Sequence, residues 1–382
     1  MPYQNFLSNK FNIGLPLWTV LVPVFAGIIL LLKNVVPDVP IVNFLFGGVL
    51  IASVLAAVHH AEVIAHKVGE PFGTLILALA ITVIEVSLIV SLMLSETNSG
   101  PSALARDTVF AAVMIILTGI IGLCLFIGSF RFKEQVFVKQ GVNASLITLL
   151  SISVLTMVLP NYTTSGIGNQ YSNSQLLFVA IVTLVLYAGF VAVQTVRHRD
   201  YFLPESNILP VIDKDKNEVS DEDLNHVAAP NIRTATVSLL LLFIALAAVV
   251  LFSKKLSPAI EDIVINIGAP KSLVGIIIAT VILLPEGMAA IKAVRKNRLQ
   301  TSLNLALGSA IASIGLTIPS VAIVCVITGM KINLGIDGKS TVLMLMSIFI
   351  ISISFNTNKT NVQQGIVLLV LFATYLFTTI VP

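Results

Sequence analysis

Charge is what this chain has least of. Asp, Glu, Lys and Arg together make up 11% of 382 residues, against 56% hydrophobic residues. Soluble domains carry about 25% charged residues, so there is too little polar surface here to cover a water-soluble globule. Cysteine is nearly absent as well. Cys124 and Cys325 both lie inside apolar stretches, which argues against a disulfide framework or a thiolate metal clamp and leaves small core residues. Strict alternation of apolar and polar residues is missing too. The apolar runs are unbroken, and since backbone groups in lipid must be satisfied internally, this selects helices over a barrel. The net charge of +3 points to no nucleic-acid partner, because most basic residues fall in short connections between apolar runs. The expected class is an all-α, polytopic membrane protein whose first partner is the lipid bilayer.

About 20 apolar residues cross a bilayer. Eleven such segments run near 15–36, 40–67, 72–95, 107–130, 143–160, 175–196, 234–267, 271–293, 300–329, 340–356 and 361–381. The first is longer than the apolar core of a signal peptide, about 7–15 residues, and reads as a retained helix. The seventh contains Lys254, Lys255 and Pro258. It is either one tilted helix or a helix followed by a half-helix. Lys and Arg are retained on the cytoplasmic side. Alternate connections hold 15 and 7 of the 22 basic residues, which places the N-terminus in the cytoplasm and the C-terminus outside a cell (inner) membrane.

The long polar stretch, 197–233, is cytoplasmic in this topology. Asp213, Asp215, Asn217 and Asp221 fall at positions 1, 3, 5 and 9 of an EF-hand loop, but the glycine and the bidentate glutamate that such a loop needs are Glu218 and Leu224. A solvated linker is expected, with a weak regulatory cation site as the alternative. It separates residues 1–38 and 39–196 from 234–382.

Those last two regions look alike. Glu62 and the Gly69-Glu70-Pro71 turn recur 199 positions later as Glu261 and Gly268-Ala269-Pro270, and Glu85 recurs 201 positions later as Glu286. Each copy holds five segments, and an odd number turns the second copy upside down. Inverted repeats of this kind build transporters whose site lies at the midplane between the copies. Glu85 and Glu286 lie about 14–16 residues beyond their turns, or roughly 21–24 Å along a helix. An ionisable group at that depth costs several kcal/mol unless it is paired, hydrated or protonated. Two in corresponding places point to an ion.

A hard cation takes oxygen ligands, from carboxylates and backbone carbonyls. Pro285 has no N–H, so the Val281 carbonyl loses its helical partner and becomes available. Thr82 lies one turn before Glu85, and its hydroxyl either ligates, holds the carboxylate or bonds back to the preceding turn. The next segment of each copy offers Asp107, Thr118, Asn304, Ser309 and Ser313, with Ser313 assigned to close helix packing among small residues. His59, His60, Glu62 and His66 suggest a metal, but a zincin requires H-E-x-x-H and this spacing differs. Glu62, Glu261 and His60 are read instead as lining an access path or gate.

Thr82-Val-Ile-Glu85, Leu284-Pro285-Glu286-Gly287 and Asn304-Leu-Ala-Leu-Gly308-Ser309-Ala310 resemble the calcium/cation antiporter superfamily, in particular its bacterial ChaA-type calcium(sodium/potassium)/proton branch. The resemblance covers nearly the whole length. It implies one extra helix plus two inverted sets of five, a cation site with one glutamate from each repeat, and exchange of Ca²⁺ for protons. It departs from the family at Ile84, where many members have a proline. A monovalent Na⁺(K⁺)/H⁺ antiporter using the same glutamates is the alternative, and an intramembrane metalloenzyme or a receptor is more distant. No enzymatic activity and no cofactor are expected; Ca²⁺, or Na⁺ and K⁺, is the transported ion. The oligomeric state is left open.

Overall fold

A computed structural model describes residues 14–31, 40–69, 72–94, 100–165, 170–203, 230–266 and 268–381. The acidic stretch 213–223 and the pair Glu70-Pro71 lie outside the described residues. The regular structure is helical: α1 Leu17–Leu31, α2 Pro40–Val68, α3 Phe72–Met93, α4 Leu104–Phe132, α5 Lys139–Tyr162, α6 Asn173–Arg197, α7 Ile232–Asn266, α8 Ser272–Arg295, α9 Leu299–Thr328, α10 Gly338–Ser354 and α11 Val362–Ile380. Among the described residues, eight helices are long and apolar enough to cross a membrane by length and composition, and the apolar helices Leu17–Leu30, Leu79–Met93 and Gly338–Ser354 are shorter. Large apolar side chains such as Phe44, Phe178, Phe243 and Phe349 are exposed, as lipid-facing residues are. The seventh segment is a single helix with Pro258 inside it.

The helix ends follow from local chemistry. Gly69 and Gly268 adopt φ values of 80° and 70°, a left-handed conformation that glycine enters without a Cβ clash. They stop α2 and α7. α6 and α11 each begin with a capping box, Ser172 with Gln175 and Asn361 with Gln364, which satisfies otherwise orphaned N–H groups at the helix start. The helices differ in how their ladders are interrupted. α4 widens to i→i+5 bonding over Ile115–Ile120, whereas α8 and α9 carry Pro285 and Pro319.

The chain divides into two compact units, one of residues 1–84 and 206–256, the other of 85–205 and 257–382. In the first, α1 packs on α2. The Phe46 ring sits 5.4 Å from Phe252 and under the Lys255 ammonium at 4.7 Å. In the second, α9 is central and packs against α4, α5, α6 and α8. Close helix approach depends on glycines, as in other membrane bundles. A Cβ on Gly365 of α11 would lie 2.5 Å from the Phe126 amide nitrogen of α4, and one on Gly275 of α8 would lie 2.8 Å from the Asp107 carbonyl carbon.

At one end of the second unit, polar side chains join the connections. Gln135 donates to Asn297 Oδ1 at 2.9 Å, Gln300 accepts from the Val138 amide at 2.7 Å and donates to Asn304 at 2.9 Å, and Asn304 donates to the Phe202 carbonyl at 2.5 Å. These bonds fix the start of α9.

Candidate functional site

Glu85 is buried on α3 at 4% exposure. Its Oε1 accepts a hydrogen bond from Ser313 Oγ of α9 at 2.5 Å. Thr317, one helical turn beyond Ser313 on the same face, has a fully buried hydroxyl with no hydrogen-bond partner among the described residues. Among the described residues no Lys or Arg pairs with Glu85. Neutral hydroxyls orient a carboxylate but supply no counter-charge, so charge balance at this depth requires a cation or a proton.

Glu286 lies on α8 directly after Pro285, with both carboxylate oxygens buried. The half-buried Val281 is the residue whose carbonyl would have bonded to the N–H that Pro285 lacks. α4 and α8 run side by side in the same direction. Gly275 abuts Asp107 and Thr108, and twelve residues on, Gly287 faces Ile120 Cδ1 at 3.4 Å from where a Cβ would stand. The wide turn of α4 is thereby set beside the residue that follows Glu286. α8 also packs along α9, so the helix bearing Glu286 neighbours the helix whose Ser313 holds Glu85.

The remaining candidates are more dispersed. Thr82 is buried one turn before Glu85 on α3. Thr118 is fully buried in the wide turn and donates to the Met114 carbonyl at 2.5 Å. Asp107 pairs with Arg106 at 2.7 Å near the start of α4, where Arg106 also donates to the Gly335 carbonyl at 3.1 Å. Asn304, nine residues before Ser313, is engaged with Phe202 and Gln300. Ser309 is half-buried on α9, Glu62 is exposed on α2, and Glu261 is half-buried on α7. His60 is fully buried and meets the Thr19 carbonyl at 2.8 Å. Among the described residues no three His, Cys, Asp or Glu side chains converge as a metal cage would require. Ser313, read from sequence as a packing residue, is the one that touches Glu85. Thr317 escapes a sequence reading, although its i+4 spacing from Ser313 is a signal that sequence contains. The wide turn of α4 has no such signal.

A helix bundle of this length and apolarity, with carboxylates buried well inside its helices, defines a polytopic membrane protein of the ion-transporting type. The sodium/calcium exchanger protein family matches residues 39–196 and 237–381, and the chain belongs to that family. It is 41% identical over 370 residues to the protein y4hA of Sinorhizobium fredii, covering 96% of this chain and 97% of y4hA. It is 33% identical over 359 residues to the sodium-potassium/proton antiporter ChaA of Escherichia coli, covering 93% of this chain and 94% of ChaA. The crystal structure of the H⁺/Ca²⁺ exchanger CAX superposes with a TM-score of 0.68 at 16% identity, over 94% of this chain and 86% of that one, which shows a shared fold.

Proposed function

We infer that this protein is a secondary antiporter that exchanges Ca²⁺ for protons across the cell membrane, with Glu85 and Glu286 as the groups that bind both. The observation that carries this is Glu85 itself, a carboxylate buried inside the apolar helix α3 and held by Ser313, with no basic partner among the described residues. An empty, charged pair of carboxylates is costly in a low-dielectric site. Protons therefore replace a departing cation, and competition for the same oxygens makes the exchange obligatory. Each loaded form is close to neutral, so the site changes its access side without a large desolvation penalty. Val281, Thr82 and Ser309 remain candidates for completing or supporting the coordination, whereas Asn304 is engaged with the Phe202 carbonyl and Gln300. Glu62 and Glu261 are the proposed access-path residues; His60 is fully buried and engaged with the Thr19 carbonyl.

The architecture proposed for this cycle is one additional helix followed by two inverted sets of five. Three features support it: the family match falls in two blocks, Gly69 and Gly268 share a left-handed turn, and α6 and α11 share a capping box. The N-terminus is cytoplasmic and the C-terminus outside, as the distribution of basic residues requires. α2 and α7 move against the remaining helices to alternate access. A second reading, Na⁺(K⁺)/H⁺ exchange at the same glutamates, draws on the printed name of ChaA. The test is proton flux in liposomes on addition of Ca²⁺, Na⁺, K⁺ or Mg²⁺ in turn. A response to Na⁺ and K⁺ with none to Ca²⁺ selects the second reading, and no response to any of them refutes both.

A further inference from the structure

α1 contains Pro23, four residues after Thr19. Proline has no N–H, so the Thr19 carbonyl loses the donor that the helical ladder would have supplied. Thr19 is fully buried, and an unpaired carbonyl away from water is unfavourable. Its donor comes from another helix. His60 Nε2, on α2, lies 2.8 Å from this carbonyl oxygen, and His60 is also fully buried. A carbonyl only accepts, so the imidazole carries a proton on Nε2 and donates it. Neighbouring contacts reinforce the same joint. The Trp18 ring lies 5.8 Å from the His59 ring, and His59 Nδ1 is 4.0 Å from the Glu62 carboxylate. The family match begins at residue 39, so α1 falls outside the matched region and needs its own means of attachment.

We propose that His60 is a latch that supplies α1 with the N–H that Pro23 withholds and thereby joins this additional helix to α2, so that the two travel as one body. A doubly protonated imidazole still donates through Nε2, so acid does not release the contact. His59 and Glu62 are the titratable groups beside it, and neither competes for the Thr19 carbonyl. The latch is a fixed joint rather than a pH switch. It also explains a buried histidine that the cation site does not use. That α2 moves during exchange rests on the antiporter reading above, but the existence of the latch does not.

Trp18 is the sole tryptophan of the chain, so its fluorescence reports directly on the joint. In the full-length protein, His60→Ala is expected to lower the thermal unfolding midpoint and to raise acrylamide quenching of Trp18 at least twofold. Pro23→Ala gives α1 its own donor to Thr19. The Thr19 carbonyl has two lone pairs and can accept from both donors, so His60→Ala is expected to lower the midpoint less in the Pro23→Ala background than in wild type. Additive midpoints together with unchanged Trp18 quenching in His60→Ala overturn the latch. For joint movement, Trp18→Cys and His59→Cys are combined in a chain whose two native cysteines are replaced, and are joined by a short bifunctional thiol reagent. Proton-coupled cation flux at the uncrosslinked rate is expected. Flux blocked only after crosslinking overturns joint movement, whereas a wild-type protein that carries no flux overturns the antiporter reading instead.

Discussion

Replacing Ser313 by alanine tests the hydroxyl that touches Glu85 without altering any charge. The Ser313–Glu85 contact is 2.5 Å long and buried, the geometry of a hydrogen bond to an ionised acceptor. Such bonds contribute about 1.5–3 kcal/mol, equivalent to roughly 10- to 150-fold in an equilibrium constant. The buried Thr317 hydroxyl, one turn further along α9, has no hydrogen-bond partner among the described residues and can take over part of the work, which places the expected effect toward the lower end. The assay is the initial rate of Ca²⁺ uptake into proteoliposomes at fixed internal and external pH, as a function of Ca²⁺ concentration. Ser313→Ala is expected to raise KM at least tenfold with the protein still folded. Ser313→Thr, which keeps the hydroxyl, is expected to remain near wild type. A KM within twofold of wild type for Ser313→Ala refutes the role assigned to this contact.

Asn304 donates to the Phe202 carbonyl at the start of α9 rather than to a glutamate. Asn304→Ala is therefore expected to cost about 1 kcal/mol of stability, seen as a lower thermal midpoint, while KM for Ca²⁺ stays within twofold. Gly365→Ala drives a methyl group to 2.5 Å from a backbone nitrogen of Phe126. Neither partner is a flexible side chain, so a destabilisation of about 1–3 kcal/mol is expected, measured as lost monodisperse yield and a lower midpoint. Gly189→Ala, on α6 with nothing within 4 Å, is the matched control and is expected to be neutral or to stabilise by about 0.5–1 kcal/mol.

Much of the architecture was legible because membrane helices are written in uninterrupted hydropathy. The segment near 72–95 became Phe72–Met93, and the one near 300–329 became Leu299–Thr328. The turns at Gly69 and Gly268 were visible as a repeated tripeptide and are both left-handed, since only glycine enters that conformation without strain. Glu85 stood out because a carboxylate in an apolar run is rare for a physical reason. Its neighbours were harder to read. Ser313, Ser309 and Asn304 lie on one helix in similar company, and which of them meets α3 depends on the rotation of α9, which local sequence does not specify. Asn304 reads like a ligand but is used where α9 meets the Phe202 turn, a contact 102 residues away in sequence. Thr118 sits in a turn widened to i→i+5 bonding, and nothing in Ile-Ile-Leu-Thr-Gly-Ile announces that widening. In the sequence His60 reads as an access-path residue beside Glu62 and Glu261. Its contact with Thr19 depends on Pro23, 37 positions earlier in the chain, and becomes visible once α1 and α2 are placed together.

The most direct test of the central claim follows proton movement in liposomes carrying wild type, Glu85→Gln or Glu286→Gln when Ca²⁺ is added to one side. A neutral amide can neither release a proton nor balance a cation. Wild type is therefore expected to move protons against Ca²⁺ in strict proportion, and each variant to lose the response while remaining folded. Full Ca²⁺-driven proton flux in either variant contradicts the account.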